Sequence, residues 1–595
     1  MSKAAIRTPG AGSRWLFGPV PDLALGCGLL YGVFFVSQVV AGPGMRTWLP
    51  LSLLPFLTLL LGSPHYGATL LRVYGTRADR RRYFFFGVWV SLLVAAAFVA
   101  GLHVAWIGSL ILTLYLTWSP WHYSAQNYGV AVLLLRRRGT LLDASTRRLL
   151  RSSFVLSYGL VFLSLHGATG ASPQTAVERY EGSIYDLLSL GIPLSIRDPA
   201  MLLTLAAYLL CTIGAVARLT RAGGFQAAGP TLVLIGVQAV WFLLPASVLV
   251  WPGIGRVEPF APEYRAYAFM WIAVGHFLQY LWITTYYAAA AEDRPGRALY
   301  LGKALLVGIS IWALPALVFA PDLLGSLPYD LGLGLLAASV VNLHHFILDG
   351  VIWRLRDDRI ALMLLGPLSE RGPADRAAVA SGAEPRGPIR RGATALGWAG
   401  AAVVLVAALV ASWESLAGNR AAERGDAERY ALAATRRAWL GRDSPEPHLH
   451  FGVEAMQAGD LERAHRELDR GMALHPTADL WRLAGELALK ENDPERAFSA
   501  FEEAIALDPG SGAAYYQSGR ILAEQGRLDE ALERLERANA LWPDTEPIRT
   551  LLLELRGRRG AGATPGPAAH AVAPAGPADP AGFERPGTNP PETRP

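Results

Sequence analysis

The chain has 595 residues, of which 52% are hydrophobic and 17% are charged, and its net charge is +5. This length exceeds one ordinary domain. The positive charge comes from arginines distributed over several loops, so no concentrated basic face is available and we expect no nucleic-acid partner. The two cysteines, Cys27 and Cys211, fall within apolar segments, which excludes a disulfide framework or a cysteine-based metal site.

Apolar blocks occupy most of the chain up to about residue 413, and each is long enough to cross a bilayer. The sequence therefore predicts an all-α, polytopic membrane bundle with about eleven spans, whose surroundings are the lipid bilayer. A cytoplasmic segment, 1–21, precedes ten spans within 22–356, and a cytoplasmic loop, 357–394, leads to the last span, 395–413. The predicted spans are 22–41, 47–70, 83–103, 104–135, 150–170, 200–218, 229–251, 264–290, 301–320, 328–353 and 395–413.

Basic residues indicate the orientation of these spans. Arginine clusters such as 80–82 and 136–138 follow even-numbered spans, whereas the opposite loops carry acidic residues such as Glu178 and Glu181. Because positive loops stay in the cytoplasm, we expect a cytoplasmic N-terminus. An odd number of spans then places everything after residue 413 outside. We expect a multi-pass protein of a bacterial inner membrane whose C-terminal part is periplasmic.

Three similar segments follow the last span, and their closing prolines are spaced by 33 and 34 residues. The segments are 459–476, 492–509 and 526–543, which close with Pro476, Pro509 and Pro543 and share small residues at Ala464, Ala497 and Ala531. The period and the Ala497–Phe501 spacing resemble the tetratricopeptide repeat family. The resemblance implies an α-solenoid over 420–556 whose concave face binds a protein or peptide.

The remaining residues, 557–595, are rich in proline, alanine and glycine and contain few large apolar side chains. Such a composition buries too little apolar surface to offset the entropy of folding. We therefore expect a disordered tail.

Histidines recur inside the membrane part in one kind of context. They are His65, His122, His276, His344 and His345, and Asp349 follows one helical turn after the last of them. All four spans that carry these residues are even-numbered and run in the same direction. The side chains therefore share a depth between the middle and the cytoplasmic side, so a single site is geometrically possible.

Ionisable groups in lipid are functional candidates because burying them without a partner is costly. Neutral imidazole and carboxylate suit a transition metal, and we expect iron. His345 and Asp349 share a helix face, and Asp349 would be a ligand or a catalytic base. His344 points about 100° away, so it is either a ligand or a supporting group. A proton or hydrogen-bond relay without metal, and unconnected structural roles, remain open alternatives.

Other polar residues near these histidines are candidates for a substrate pocket. They are Tyr66, Tyr123, Gln126, Asn127, Gln279 and Tyr280. Several lie three or four residues from a histidine, where they could also orient an imidazole through its second nitrogen.

The stretch from Gly62 to Gly67, with Pro64, His65 and Tyr66 between them, resembles the Brp/Blh-type membrane carotene dioxygenases. Those are helical membrane enzymes with histidine-bound non-haem iron. The resemblance implies that four histidines of this chain bind iron and that the substrate is lipid-soluble. The four are His65, His122, His276 and His345.

Two other functions remain open, and the sequence does not decide whether the protein is an enzyme. The predicted order, with many spans first and tetratricopeptide repeats outside the membrane after them, is similar to that of the GT-C glycosyltransferases. Those enzymes use polyprenyl-linked sugars. Their catalytic acidic residue lies in the first outward loop, whereas residues 41–50 here contain no Asp or Glu. The third possibility is a membrane scaffold that presents the repeats to an envelope complex.

Overall fold

The structure is a computed structural model in which the described residues are almost entirely helical. It describes residues 14–42, 53–168, 183–247, 262–290, 296–321, 323–353, 360, 364–365, 388–543 and 545–560. In these ranges the only β-structure is two isolated bridges, so the prediction of an all-α chain is confirmed. Most of the predicted segments 1–21, 357–394 and 557–595 lies outside the described residues.

The chain divides into two compact units, Met1–Asp443 and Ser444–Pro595. The helices of the first unit are α1 (Pro19–Gly26), α2 (Leu29–Ala41), α3 (Leu54–Leu57, Thr58–Gly62 and Ser63–Tyr74 in succession), α4 (Arg77–Arg82), α5 (Phe85–His103), α6 (Ala105–Arg137), α7 (Ala144–Leu165), α8 (Leu194–Ala246), α9 (Pro262–Ala290), α10 (Arg297–Val318), α11 (Tyr329–Ile352), α12 (Pro388–Glu423) and α13 (Ala427–Trp439). Those of the second unit are α14 (Pro445–Gln457), α15 (Leu461–Leu474), α16 (Ala478–Lys490), α17 (Pro494–Leu507), α18 (Gly512–Glu524), α19 (Leu528–Leu541) and α20 (Glu546–Gly560).

The number of membrane-spanning helices is lower than the sequence prediction. Among the described residues, six helices are long and apolar enough to cross a membrane. The pair α1 and α2, bent by 63°, would be a seventh if it forms one span. The predicted count of eleven is therefore not supported. Besides 22–41, which falls in the bent pair, three predicted spans are not among the six, and each of them carries one of the candidate ligand histidines: 47–70, 104–135 and 264–290.

Helix α8 accounts for two of the predicted spans, 200–218 and 229–251. It is counted once because its helical turns run on from Leu194 to Ala246. Gly224 nevertheless interrupts it with φ of 67° and ψ of 174°, a conformation that glycine adopts without steric cost. The break lies between the two predicted spans.

Helices α3 and α10 approach each other so closely that their backbones touch. A Cβ atom on Gly67 would lie 1.8 Å from the carbonyl oxygen of Ala304, and one on Gly308 would lie 1.6 Å from the carbonyl oxygen of Ser63. Small residues permit such contacts between membrane helices. The crossing fixes the turn of α3 that carries His65.

Helix α7 begins at a capping residue outside its apolar stretch. The Asp143 carboxylate accepts hydrogen bonds from the backbone N–H groups of Ser145 at 2.8 Å and Thr146 at 2.7 Å. These bonds, together with those from the two hydroxyl groups, lower the pKa of Asp143 to about 2. The cap supplies partners for backbone donors that a helix leaves free at its start.

Helix α13 is fastened to the end of α12 by a buried carboxylate. Glu414 is only 2% exposed and accepts hydrogen bonds of 2.8 Å from both Arg429 and Arg436. A second ion pair joins Arg437 to Asp330. Two guanidinium groups compensate the burial of the Glu414 charge, which would otherwise be costly. The predicted repeat region begins at 420, but α13 belongs to the first compact unit.

The second unit is a succession of short antiparallel helices packed through small side chains. The repeated alanines Ala464, Ala497 and Ala531 are all fully buried. Phe501 is also fully buried, and a Cβ on Gly485 would lie 2.6 Å from its ring. Helices α16 and α17 can therefore approach closely because Gly485 has no side chain opposite the Phe501 ring.

Candidate metal centre

Four helices of the first unit bring five of the predicted ligands to one place. Helix α3 carries His65, α6 carries His122, α9 carries His276, and α11 carries both His345 and Asp349. All five side chains are buried. We refer to these five residues as the histidine cluster.

The imidazole rings of the cluster are in mutual contact. The ring centroid of His65 lies 4.2 Å from that of His345 and 4.8 Å from that of His276. His122 lies 5.1 Å from His276 and 5.2 Å from His345 by the same measure. Residues separated by up to 280 positions in the sequence thus meet inside the bundle. They do so from helices that the sequence predicted to run in the same direction.

The potential ligand atoms form two overlapping sets. In the first set, nitrogens of His65, His276 and His345 lie within 4.8 Å of one another. In the second, His122, His345 and one Asp349 oxygen meet the same limit. Asp349 Oδ2 is 3.4 Å from His345 Nε2 and 3.9 Å from His122 Nε2. His345 belongs to both sets, so it joins them into one cluster.

Several buried nitrogens of the cluster have no hydrogen-bond partner in the described part of the chain. They are His65 Nδ1, His122 Nε2, His345 Nε2 and both ring nitrogens of His276. Native proteins rarely leave buried polar atoms without a partner, and each such atom is destabilising. A transition metal accepts nitrogen and carboxylate ligands of this kind, so the residues present fit such an ion.

Two hydroxyl groups hold Asp349 in place. Thr69 Oγ1 donates to Asp349 Oδ1 at 3.0 Å, and the Tyr280 hydroxyl donates to the same oxygen at 2.7 Å. The two hydroxyl oxygens are 2.5 Å apart, and Tyr280 also accepts a 3.0 Å bond from Trp353 Nε1. With Oδ1 engaged in this way, Asp349 Oδ2 remains for the cluster.

The same threonine determines which nitrogen of His345 is free. Thr69 Oγ1 lies 3.0 Å from His345 Nδ1. When Thr69 gives its single hydroxyl proton to Asp349, its oxygen can accept only a proton carried by His345 Nδ1. The unprotonated nitrogen is then Nε2, which faces Asp349 and has no other partner among the described residues. Such support from a neighbouring group is typical of metal-binding histidines.

Thr69 was missed by the sequence prediction. It lies one helical turn after His65, so it shares the helix face of a candidate ligand. That spacing is the only sequence signal for it, and a threonine at such a distance is common in any helix.

His344 is not brought to the cluster. Its Nε2 lies 2.8 Å from Ser91 Oγ on α5, and it belongs to neither set of ligand atoms. Adjacent residues on a helix point about 100° apart, so His344 and His345 face different neighbours. The structure places His344 as a contact between α11 and α5.

The predicted pocket residues lie in different surroundings. Tyr280 touches Asp349, and the ring of Tyr123 stands 4.1 Å from that of His276. The Tyr66 hydroxyl donates to Asn342 Oδ1 at 2.9 Å. These three tyrosines therefore surround the cluster, and Tyr280 also faces a cavity.

Gln126, Gln279 and Asn127 form a chain of amides beside the cluster. Gln126 Nε2 donates to Gln279 Oε1 at 2.6 Å, and Gln279 Nε2 donates to Asn127 Oδ1 at 2.9 Å. Asn127 continues the chain to Gln238, whose Nε2 donates to Ser124 and to another serine. Of these residues only Gln126 also lines the cavity.

The cavity lies against the cluster, with a volume of about 270 Å³. Its lining residues are Trp118, Trp121, His122, Ala125, Gln126, Gly129, Val130, Leu133, Tyr280, Ile283, Phe346, Asp349, Gly350, Trp353, Ile360 and Leu364. Most of these side chains are apolar or aromatic. The cavity thus joins an apolar binding space to two members of the cluster, His122 and Asp349.

Comparisons with known proteins concern the repeats. Two family models described as tetratricopeptide repeat match residues 449–512 and 488–555, which confirms the predicted repeats. Sperm-associated antigen 1 of Mus musculus is 28% identical over 104 residues, which are 18% of this chain and 12% of that protein. The crystal structure of MamA protein is similar with 22% identity and a TM-score of 0.22, over 26% of this chain and 85% of that one.

The class defined by these findings is a helical protein with tetratricopeptide repeats, a fold that generally mediates protein–protein contacts. The family-model matches stay within 449–555, so the resemblance of the apolar part to Brp/Blh-type carotene dioxygenases is not supported.

Proposed function

We propose that the first unit is an integral membrane protein in which the histidine cluster holds a transition metal and oxidises a lipid-like molecule. The observation that carries this proposal is the convergence of five buried potential ligands, several with unpartnered nitrogens, of which His122 and Asp349 also line an apolar cavity. The repeats of the second unit would bind another protein.

Iron is the metal that this ligand set favours. His122, His345 and Asp349 make up two imidazoles and one carboxylate, the set found in non-haem iron oxygenases. When bound, such a metal supplies redox chemistry with dioxygen. His65 and His276 offer further nitrogens to the same ion.

The surrounding residues keep this site ordered and dry. Thr69 and Tyr280 fix Asp349 Oδ1 and so turn Oδ2 toward the imidazoles. Trp353 and Phe346 line the adjoining cavity with aromatic surface. An apolar substrate in that space would exclude water and lie directly beside His122, whose ring stacks on Phe346 at 4.4 Å.

The orientation follows from the distribution of arginines. We propose that the N-terminus is cytoplasmic, that the protein resides in a bacterial inner membrane, and that the repeats lie on the periplasmic side. This arrangement requires an odd number of crossings. Six helices meet the length and composition of a span, and the bent pair α1 and α2 would make seven, an odd number.

Metal content tests the proposed site. We expect the protein purified in detergent to hold close to one transition-metal ion per chain. His122→Ala and His345→Ala each remove a ligand, so both variants should lose that ion. His344→Ala is the matched control because His344 contacts Ser91 instead of the cluster. Absence of metal from the wild-type protein, or full retention in both ligand variants, contradicts a shared metal site.

Redox activity separates an enzyme from a scaffold. Reconstituted with lipids of its own membrane, the iron-loaded protein should consume dioxygen and increase the mass of a lipid-soluble component. The His345→Ala variant should do neither. A metal-free protein that only captures a partner through its repeats would favour the scaffold. The glycosyltransferase alternative remains a prediction. A bound metal together with consumption of dioxygen would leave it without support.

A further inference from the structure

The cavity beside the cluster has one polar side chain that the cluster does not use. Apart from tryptophan rings and the site residues His122, Tyr280 and Asp349, Gln126 is the only polar side chain among its described lining residues. The volume of about 270 Å³ is far above that of a single bound water. At the rim Trp118 is 38% exposed and Trp121 is 36% exposed, so the cavity opens on the flank of α6.

The hydrogen-bond chain fixes which end of the Gln126 amide faces the cavity. Gln279 donates through Nε2 to the backbone carbonyl of Gly26 at 2.9 Å, and a carbonyl can only accept. Gln279 therefore presents Oε1 to Gln126, and Gln126 donates to it through Nε2. The groups of Gln126 left for a bound molecule are Oε1, an acceptor, and the second N–H of Nε2.

The remainder of the chain holds this orientation. Gln279 Nε2 also donates to Asn127 Oδ1 at 2.9 Å, and Asn127 Nδ2 donates to Gln238 Oε1 at 2.7 Å. Gln238 then donates to the hydroxyls of Ser124 and Ser157. Reversing the Gln126 amide would place its Oε1 against Gln279 Oε1, so that two acceptors would face each other at one end of the network. Such a network is costly when it is only partly satisfied.

We propose that the cavity binds an apolar molecule that carries a hydroxyl group, and that Gln126 Oε1 accepts the hydrogen bond from that hydroxyl. Gln126 lies four residues after His122, so it shares the same helix face about one turn away. The hydroxyl is then held one turn from the cluster while the apolar part fills the aromatic cavity. This inference rests on the proposed function because it treats the cavity as the substrate site of the cluster.

A matched pair of probes tests the hydrogen bond to Gln126 Oε1, which we call the anchor. Radiolabelled tetradecanol and its methyl ether differ in the hydroxyl hydrogen, which the ether lacks. We would measure the binding of each to the full-length protein in lipid nanodiscs, corrected for partitioning into protein-free nanodiscs. The wild-type protein should prefer the alcohol by about five- to tenfold, the effect of one hydrogen bond in a buried site.

Two variants locate the preference. Gln126→Met keeps the length of the side chain but removes the acceptor, so the two probes should bind almost equally. Ile283→Val trims the apolar lining and should weaken both probes to the same extent, which leaves their ratio unchanged. Equal binding of both probes to the wild-type protein, no binding of either, or an unchanged preference in Gln126→Met overturns the proposal.

Measurement with and without metal separates this proposal from the proposed function. The anchor needs only Gln126 and its amide neighbours, so the preference should persist in chelator-treated protein. A protein that binds no metal but prefers the alcohol would refute the redox function and leave the anchor in place. A metal-loaded protein that does not prefer the alcohol would refute the role of Gln126 and leave the redox function in place.

Discussion

Asp349 has a particular part in the cluster because it is the only carboxylate among four imidazoles. Thr69 and Tyr280 both donate to its Oδ1, and its Oδ2 faces His122 and His345. A buried carboxylate held in this way needs a positive partner, and a metal ion supplies one.

Neutralising this carboxylate should weaken metal binding. In Asp349→Asn the shape of the side chain is kept, but the charge is lost, so we expect at least about tenfold weaker metal affinity. The affinity would be measured by competition with a chelator of known strength. Unchanged affinity would show that Asp349 is not part of the site. Elution of the variant as a monodisperse species would confirm that it has folded.

Thr69 can be tested by a pair of substitutions. Thr69→Val removes the hydroxyl that orients Asp349 and His345, and we expect roughly 10- to 100-fold weaker metal affinity. Thr69→Ser keeps the hydroxyl and should bind almost as the wild-type protein does. If Thr69→Val binds metal normally, the hydroxyl does not orient the ligands.

The sequence indicated much of the site at this scale. His345 and Asp349 could be paired by their four-residue spacing, and the predicted shared direction of four spans led us to expect His65, His122 and His276 near one another. Spacing within one helix cannot show which face a distant helix presents. For that reason His344 was predicted as a ligand, although it contacts Ser91. Thr69 was not predicted, because a threonine one turn from a histidine is common in any helix.

At the scale of helices, the position of His65 depends on the crossing of α3 with α10. Gly67 lies two residues after His65, and its missing side chain permits contact with the backbone of Ala304. Gly308 does the same from α10. A change in this crossing would move His65 away from the other imidazoles.

Adding one methyl group at the crossing should therefore be damaging. In Gly67→Ala the new Cβ would lie 1.8 Å from a carbonyl oxygen, so we expect destabilisation of about 1–3 kcal/mol or more. Gly302→Ala on α10 is the control, because nothing lies within 4 Å of a Cβ there. Thermal unfolding in detergent compares the two. Equal unfolding temperatures for both variants would show that the helices do not touch as described.

Helices were easier to predict than membrane crossings. Long apolar runs identified α5, α7, α10, α11 and α12, whereas α6 carries His122, Gln126 and Asn127 within its length. Polar side chains that serve a site weaken the apolar pattern on which a span count rests. The break at Gly224 and the bend between α1 and α2 depend on backbone geometry that composition does not reveal.

At the scale of the whole molecule, the repeats follow the apolar part of the chain and belong to a compact unit of their own. Their prediction succeeded because a period of 33 or 34 residues repeats the same helix-packing positions. The partner could not be predicted, since the exposed residues of a solenoid carry no such period. Phe501 lies at the centre of this packing, fully buried opposite Gly485.

Truncating this ring should loosen the repeats. Phe501→Ala should destabilise them by about 3–5 kcal/mol, the usual cost of removing a buried phenylalanine. Leu507→Ala on the same helix changes a side chain that is 54% exposed and should have an effect within about 0.5 kcal/mol. Hydrogen exchange of peptides from 478–524 in the full-length protein reports the difference. Similar protection in both variants would contradict the described packing.

The central claim is that imidazoles from four helices share one metal ion, and X-ray absorption of the bound metal tests it most directly. We expect at least three imidazole ligands and one carboxylate oxygen at about 2.1 Å from a single ion. This arrangement would place four helices around the metal. We also expect that His276→Ala lowers the imidazole count while His344→Ala leaves the spectrum unchanged. A metal-free protein, or a spectrum with fewer than three imidazoles, would contradict a shared site.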